Sequence, residues 1–227
     1  MRDRQPKHRQ MRAEQRALAR RKESRAGLPV ILVVCEGRKT EPHYIRGLCE
    51  AKRINLANVT LISGDHETDA ISLVRKAQAH LKADNDYDAV FVVCDDDGAP
   101  LDSARRQAQV RIKNATGKRL SVEIITSRPC FEFWLLLHFE YTARMYTNTS
   151  DVIRDLRRHL PDYEKSDRLI FPKVGAGLDL ARGRALQLKR DLRSSGATSP
   201  DTQVAQLVEQ LLSMSRNAHC TQNMHAR

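Results

Sequence analysis

The sequence predicts an α/β protein built on a mostly parallel sheet of four strands with helices packed around it. Two continuous apolar runs, Leu28–Cys35 and Ala89–Cys94, are rich in β-branched residues, which is typical of strands buried on both faces. Between these runs lie segments whose apolar residues recur every three or four positions, the spacing of an amphipathic helix. Strands and helices that alternate along a chain favour parallel pairing through right-handed crossovers.

The other elements follow from the same patterns. Predicted strands cover residues 28–35, 59–63, 89–94 and 120–126, and predicted helices cover 41–52, 68–81, 101–113 and 129–139. Three further helices, near 150–160, 178–193 and 200–215, have no predicted strand between them. We therefore expect a basic N-terminal arm over 1–27, an α/β core over 28–145 and a C-terminal helical extension over 146–227.

Composition limits the class of protein. The chain has 227 residues, of which 41% are hydrophobic, enough to bury one good core. Its apolar runs are too short to span a bilayer, and its basic N-terminus lacks the apolar stretch of a secretory signal, so we predict a cytoplasmic protein without a membrane partner. Five cysteines without C-x-x-C spacing argue against a disulfide framework or a zinc ribbon, and favour buried thiols at Cys35, Cys94 and Cys130.

Positive charge is concentrated at the N-terminus. The formal net charge is +11, and residues 1–26 hold ten Lys and Arg against three Asp and Glu. A basic arm suits contact with the phosphate backbone of nucleic acid, and a solvated tail that aids solubility is the alternative. The arm residues predicted to bind nucleic acid are Arg9, Arg12, Arg16, Arg20, Arg21 and Lys22.

Acidic side chains follow three of the predicted strands. Glu36 follows the first, the run Asp95-Asp96-Asp97-Gly98 follows the third, and Glu132 comes shortly after the fourth. The carboxyl ends of parallel strands meet at one edge of a sheet, where open α/β folds gather their functional groups. Asp95 and Asp97 point to the same side if the chain stays extended, because side chains alternate along a strand.

Carboxylates at one sheet edge predict a metal site. They repel one another unless a cation lies between them, and Mg²⁺ prefers carboxylate, water and phosphate oxygens. We therefore predict a Mg²⁺ site, with Mn²⁺ as an alternative ion, held by Asp95 and Asp97. Glu36 would be a further ligand or the base that accepts a proton, and Arg38 and Lys39 would bind a phosphate. A metal-free acidic turn is the alternative.

Two side chains after the fourth strand have competing interpretations. Glu132 lies at the start of a strongly apolar helix, where an acid either favours the helix dipole or is buried with a partner. His138 lies further along the same helix, and such a histidine is more often a satisfied core residue than a catalytic one. We keep Glu132 as a candidate catalytic residue and assign His138 to the core.

Three segments give the sequence a family likeness: Val34–Tyr44, Val92–Asp97 and Pro129–Phe139. The first two resemble the Toprim domain of topoisomerases, bacterial primases and OLD-family nucleases, in which a Glu after the first strand and a later Asp-x-Asp hold Mg²⁺. All three, with a weaker match at Tyr163-Glu-Lys165, resemble the RloB-like family, the third most specifically, and the likeness covers about residues 28–190. That family is associated with restriction-modification loci and abortive phage defence, sometimes beside an ATPase.

The resemblance implies a role for each candidate residue. Glu36 would be the acid–base residue, and Asp95 and Asp97 the metal ligands. Glu132 would complete the acidic cluster, and Lys165 would join Arg38 and Lys39 in binding phosphate. The implied partners are nucleic acid, either DNA or RNA, and an ATPase encoded nearby, with a homo-oligomer left open. Position 96 is an acid where the family pattern leads us to expect a basic or neutral residue.

The leading hypothesis is a Mg²⁺-dependent nuclease that cleaves nucleic-acid phosphodiesters in defence against phage. The alternative is a non-catalytic nucleic-acid-binding or scaffold partner of an ATPase-containing complex, in which the acidic cluster is structural. A phospho-receiver is disfavoured, because that fold needs an acid pair after its first strand. The chain has no G-x-x-x-x-G-K loop, so we do not expect it to hydrolyse ATP, and no motif places a tyrosine nucleophile of the topoisomerase kind.

Overall fold

A computed structural model describes residues 28–64, 69–83, 86–96, 101–114 and 117–224, with the side chains of the last helix described through Ser215. A five-stranded sheet with the order β2-β1-β3-β6-β7 forms its centre. The strands are β1 Ile31–Cys35, β2 Val59–Ser63, β3 Ala89–Asp95, β4 Ile112–Lys113, β5 Arg119–Leu120, β6 Glu123–Arg128 and β7 Asp201–Thr202. The helices are α1 Thr40–Ala51, α2 Ala70–Lys82, α3 Asp102–Ala108, α4 Phe131–Leu136, α5 Thr149–His159, α6 Ile170–Val174, α7 Leu178–Ser195 and α8 Val204–Met224.

The sheet is mostly parallel, as predicted, but it has five strands and not four. β1 pairs in parallel with β2 and β3, and β3 pairs in parallel with β6. The fifth strand, β7, runs antiparallel to β6, and the hydroxyl groups of Ser127 and Thr202 lie 2.8 Å apart across this pair. A strand of two residues carries no detectable alternation, so the sequence pattern predicts this segment as the start of the last helix. α8 begins only at Val204.

The sheet separates two apolar layers. Side chains on one face, such as Val33 and Val93, pack in a core with helices α1 and α4–α8. Their neighbours along the strands, such as Leu32 and Val92, pack with α2 and α3 on the other face. This alternation follows from the period of two along a strand, and it explains why both strands read as continuous apolar runs.

Two of the predicted helices are shorter in the structure. The segment predicted as a helix over 101–113 forms α3 only to Ala108, and the chain then forms the β4–β5 hairpin, where Gly117 has a φ of 87°. That positive φ suits glycine, which has no Cβ to clash. The helix predicted over 129–139 is regular only over Phe131–Leu136, and it ends in tighter turns in which Phe139 N–H donates to the Leu136 carbonyl oxygen.

The predicted buried thiols are confirmed. Cys35, Cys94 and Cys130 are buried and free, as is Cys49. Among the described residues, no helix combines the length and the apolar character needed to cross a membrane.

Candidate active site

The carboxyl ends of β1 and β3 form a crevice. β2, the strand after β1 in the chain, pairs on the side of β1 away from β3. β6 pairs on the side of β3 away from β1, so the strand order reverses between β1 and β3. Parallel α/β sheets open a cleft where the strand order reverses in this way. Glu36 follows β1 and Asp95 ends β3, so both carboxylates lie at this reversal point.

The crevice is a cleft of about 300 Å³, here called the carboxylate cleft. It is lined by four acids, three cations and a few neutral residues. The acids are Glu36, Glu41, Asp95 and Glu132, and the cations are Arg38, Lys39 and Lys165. Six of these were singled out from the sequence, and the fold brings all six to one place.

The remaining predicted site residues lie outside the described residues. They are Asp97 and the arm residues Arg9, Arg12, Arg16, Arg20, Arg21 and Lys22. Side chains alternate along an extended chain, so Asp95 and Asp96 are expected to point to opposite sides. Asp95 lines the carboxylate cleft, whereas Asp96 is buried against Arg128, with 2.5 Å between its Oδ2 and the guanidinium.

Backbone N–H groups, one at the end of β3 and one at the start of α4, hold two of the carboxylates. Glu36 Oε2 accepts a hydrogen bond of 3.0 Å from the N–H of Asp95, and the N–H of Glu36 donates to the Val93 carbonyl at 2.9 Å. Asp95 Oδ1 accepts a 2.8 Å bond from the N–H of Phe131, the first residue of α4. Asp95 therefore satisfies one of the N–H groups that a helix start leaves without an internal partner.

Glu41 is a fourth acid of the cleft that the sequence analysis assigned only to a helix. It lies in the first turn of α1, is 7% exposed, and accepts a hydrogen bond of 3.2 Å from Gly37 N–H. A Cβ at Gly37 would lie 2.1 Å from Glu41 Oε2, so this side chain occupies the space that only glycine leaves open. The signal in the sequence is the spacing Glu-Gly-x-x-x-Glu, which returns the second acid over the glycine once a helix begins at Thr40.

Glu132 is buried with partners, the second of the two interpretations offered for it. Its side chain is 2% exposed. Glu132 Oε1 accepts a 2.9 Å hydrogen bond from the Tyr163 hydroxyl and lies 3.4 Å from Lys165 Nζ. Thr40 Oγ1 donates to the Lys165 carbonyl at 3.1 Å, which ties the 163–165 segment to the start of α1. The weakly matching segment 163–165 thus forms part of the wall of the cleft.

The electrostatics of the cleft reflect crowding of negative charge. Burial, with added repulsion from Glu41, Glu132 and Glu36, raises the pKa of Asp95 to about 8. Burial also raises the pKa of Glu41. Burial alone would lower the pKa of Lys165, but the charge of Glu132, the hydrogen bond with it and the charge of Asp95 together raise that pKa. A bound cation would relieve this repulsion.

The donor set suits a hard divalent cation. All four acids offer carboxylate oxygens, and no thiol or imidazole lines the cleft within the part of the chain that is described; oxygen ligands are those that Mg²⁺ and Mn²⁺ prefer. The described residues contain no group of three His, Cys, Asp or Glu side chains already arranged to hold a metal ion. The chemistry of the donors therefore fits such an ion, and Asp97, predicted as the second ligand, lies beyond the described range.

His138 lies in the core, as the sequence analysis assigned it. Its Nδ1 lies 3.0 Å from the Trp134 carbonyl oxygen and its Nε2 lies 3.0 Å from the Tyr44 hydroxyl. A carbonyl can only accept, so Nδ1 carries the proton and Nε2 accepts from the tyrosine. Burial lowers the pKa of His138 to about 4, so the ring is neutral and structural.

Comparison with known proteins gives one match. The model of a family described as "RloB-like protein" matches residues 31–211, which is most of the chain and includes every described residue of the carboxylate cleft. No curated protein matches the sequence, and no solved structure matches the fold.

Proposed function

The chain belongs to the RloB-like family, and from this premise we propose that it is a Mg²⁺-dependent nuclease that hydrolyses phosphodiesters of nucleic acid in defence against phage. One observation carries the proposal. Four carboxylates and three cations meet in a cleft at the point where the strand order of the sheet reverses. Acids that gather a metal and cations that gather phosphate are the two parts that phosphodiester hydrolysis needs.

The residues of the chain divide this work. Glu36 and Asp95, together with Asp97, would hold Mg²⁺ or Mn²⁺, which when bound supplies an activated water and neutralises charge on the phosphoryl group. Glu36 is held by the N–H of Asp95, and this fixed carboxylate is the group we assign to accept the proton of the attacking water. The exposed side chains of Arg38 and Lys39 bind the phosphate.

Glu132 and Lys165, which also line the carboxylate cleft, support the same reaction. The hydroxyl of Tyr163 and the ammonium of Lys165 fix the buried carboxylate of Glu132, so its charge stays directed into the cleft. Hydrolysis adds one water to the phosphodiester. A new P–O bond forms as the ester P–O bond breaks, one product keeps the phosphate, and the other leaves with a hydroxyl group.

The wider setting belongs to the same proposal. The likeness to the Toprim domain, a cytoplasmic location and an ATPase partner encoded nearby are inferred from the family resemblance. A basic arm at the N-terminus would add phosphate contacts outside the cleft.

The test is a cleavage assay on a panel of single- and double-stranded DNA and RNA with Mg²⁺, Mn²⁺ or EDTA. We expect the wild type to cleave at least one substrate only with metal, and Glu36→Gln to lose about 10³-fold or more of the rate, within the range of a lost general base. Glu50→Gln is the matched control, because Glu50 is an exposed acid at the other end of α1. Its rate should equal that of the wild type.

Two results would overturn parts of this proposal, the first the role of Glu36 and the second the activity. Cleavage by Glu36→Gln at the wild-type rate would remove Glu36 from the reaction. The absence of cleavage on every substrate, with and without the neighbouring ATPase, would reject the activity itself.

A non-catalytic nucleic-acid-binding or scaffold role is the second candidate, and a specific observation favours it. Asp95, Glu41 and Glu132 each already accept a hydrogen bond from the chain, and the described residues hold no ready-made group of three metal-binding side chains. In that case nucleic-acid binding survives Glu36→Gln and no metal-dependent turnover exists to lose.

A further inference from the structure

A second cleft, of about 480 Å³, lies just beyond the end of β3. Its wall includes Asp96, the residue directly after Asp95, so the chain passes from one cleft to the other at the end of β3. We call it the cationic cleft and define it by its charged residues: Arg105, Arg128, Lys189 and Arg193, with Asp96 and Asp201.

The cations come from three separate elements. Arg105 lies on α3, Arg128 ends β6, and Lys189 and Arg193 lie four residues apart on α7. Residues at this spacing share one face of a helix, so Lys189 and Arg193 both line the cleft. The fold therefore brings together cations that are far apart in the sequence, such as Arg105 and Arg193, which are separated by 88 positions.

Among the described residues, most of the positive charge in this cleft has no ion-pair partner. Arg128 is held on both sides, because its guanidinium contacts Asp96 Oδ2 at 2.5 Å and the carbonyl and hydroxyl oxygens of Thr198 at 3.3 Å each. Within the described part of the chain, no ion pair joins Arg105, Lys189 or Arg193 to an acid. Three cations thus face one further carboxylate, that of Asp201.

We propose that the cationic cleft binds backbone phosphates of the nucleic-acid strand whose scissile phosphodiester lies in the carboxylate cleft. This inference rests on the proposed nuclease function and adds the path of the substrate across the end of β3. Unpaired cations in a concave site attract anions, and the volume lies within the range of about 300–1,000 Å³ that encloses ligands larger than one ion.

The lining also indicates which part of the nucleic acid binds. The described residues of the cleft include no aromatic side chain on which a base could stack, and its neutral polar groups include Thr126 and Gln203. Stacking on aromatic rings is how single-stranded bases are held, whereas cations and small polar groups contact phosphate and sugar. The cleft therefore positions the strand without reading its sequence.

The test measures binding without cleavage. Fluorescence anisotropy of the full chain in EDTA is recorded with labelled 20-nucleotide single strands of DNA and RNA at several salt concentrations. We expect Lys189→Gln combined with Arg193→Gln to raise the Kd about 10-fold. The slope of log K against log salt should fall in magnitude by about 1.4, since each lost single-strand phosphate contact is worth about 0.7.

A matched pair separates the cleft from bulk charge. Lys52→Gln combined with Arg190→Gln removes the same charge from exposed positions that do not line the cleft, and one of them lies on α7 itself. This control should change the Kd by less than about 2-fold. Arg105→Gln, on α3, is an independent variant and should weaken binding in the same direction. All five side chains are exposed, and equal melting temperatures confirm that the variants fold.

The outcomes distinguish this inference from the nuclease proposal. Equal weakening by both pairs, or by neither, would overturn the cationic cleft as a strand-binding site, even if metal-dependent cleavage is found. Selective weakening by the cleft variants supports the site, even if no metal yields cleavage and the nuclease proposal fails.

Discussion

The carboxylate cleft and the cationic cleft both border the end of β3, yet the acids of the first and the cations of the second are held in opposite ways. In the carboxylate cleft, Glu41 and Glu132 are buried, and backbone amides or a tyrosine hydroxyl fix them. In the cationic cleft, Lys189 and Arg193 carry their charges on long, flexible side chains that are exposed to solvent. Buried charges are costly and need exact partners, whereas exposed ones cost little and tolerate movement.

This difference fits two tasks. A group that takes part in chemistry has to be held within a fraction of an ångström, which rigid strand ends and helix starts can do. A group that only attracts a phosphate backbone can adjust to its ligand. Substitutions in the carboxylate cleft should therefore change both turnover and stability, whereas substitutions in the cationic cleft should change affinity alone.

The largest expected effect is that of Asp95→Asn. Loss of one predicted metal ligand should lower the rate of metal-dependent cleavage by about 10³-fold or more. In EDTA at pH 8 the same variant should melt several degrees higher, because it removes a buried carboxylate that its neighbours repel, and one pKa unit is worth about 1.4 kcal/mol. The amide oxygen of Asn can still accept from Phe131 N–H.

Cleavage assays and calorimetry check this pair of changes. Asp102→Asn, at an exposed position in the first turn of α3, is the control and should alter neither quantity appreciably. A melting temperature in EDTA below that of the wild type would show that Asp95 stabilises the metal-free fold, contrary to the crowding described above.

As the pH falls, the buried side chain of His138 should lower the stability of the fold, whereas the side chains of the cationic cleft should not. His138 has a pKa of about 4 in the fold against about 6.5 in the unfolded chain, so the unfolded state binds the proton first as the pH falls. Its contribution is complete above pH 6.5 and is lost between pH 6.5 and 4, by about 3 kcal/mol at most.

Urea unfolding from pH 4 to 7.5 measures this contribution. His138→Gln keeps an acceptor for the Tyr44 hydroxyl but cannot titrate, so the free energy of unfolding of the wild type should fall by about 3 kcal/mol relative to that of this variant as the pH drops from 6.5 to 4. His80→Gln, at a partly buried position on α2, is the control for the loss of another helical histidine and should not reproduce this change. Identical profiles for the wild type and His138→Gln would assign the acid sensitivity to other groups.

The sequence predicted the carboxylate cleft far better than the cationic cleft, for a physical reason. Glu36 and Asp95 directly follow buried strands, and parallel pairing alone brings such strand ends together. Arg105, Lys189 and Arg193 lie on helix surfaces, where a charged residue reads as an ordinary solvated face. Their convergence depends on how α7 packs beside β7, and β7 is too short to leave a pattern in the sequence.

Glu41 was missed for an intermediate reason. A first-turn acid in a helix normally indicates only a favourable dipole interaction, so its position in the sequence did not mark it as part of a site. Its inward direction depends on the close approach to Gly37, whose empty side-chain position it fills. The sequence pattern thus predicted the helix that holds Glu41, but only the packing of Glu41 against Gly37 placed its carboxylate in the cleft.

The smallest expected change in stability tests that approach. Gly37→Ala places a Cβ 2.1 Å from the present position of Glu41 Oε2, but the contact is with the end of a flexible side chain, which can swing away. We therefore expect the free energy of unfolding to change by less than about 1 kcal/mol, while the displaced carboxylate lowers metal-dependent cleavage. Gly183→Ala on α7, where a Cβ meets nothing within 4 Å, is the control and should stabilise the fold by about 0.5–1 kcal/mol with cleavage unchanged. A large loss of stability in Gly37→Ala would mean that Glu41 is fixed too firmly to move, and full cleavage activity would mean that its carboxylate takes no part in the site.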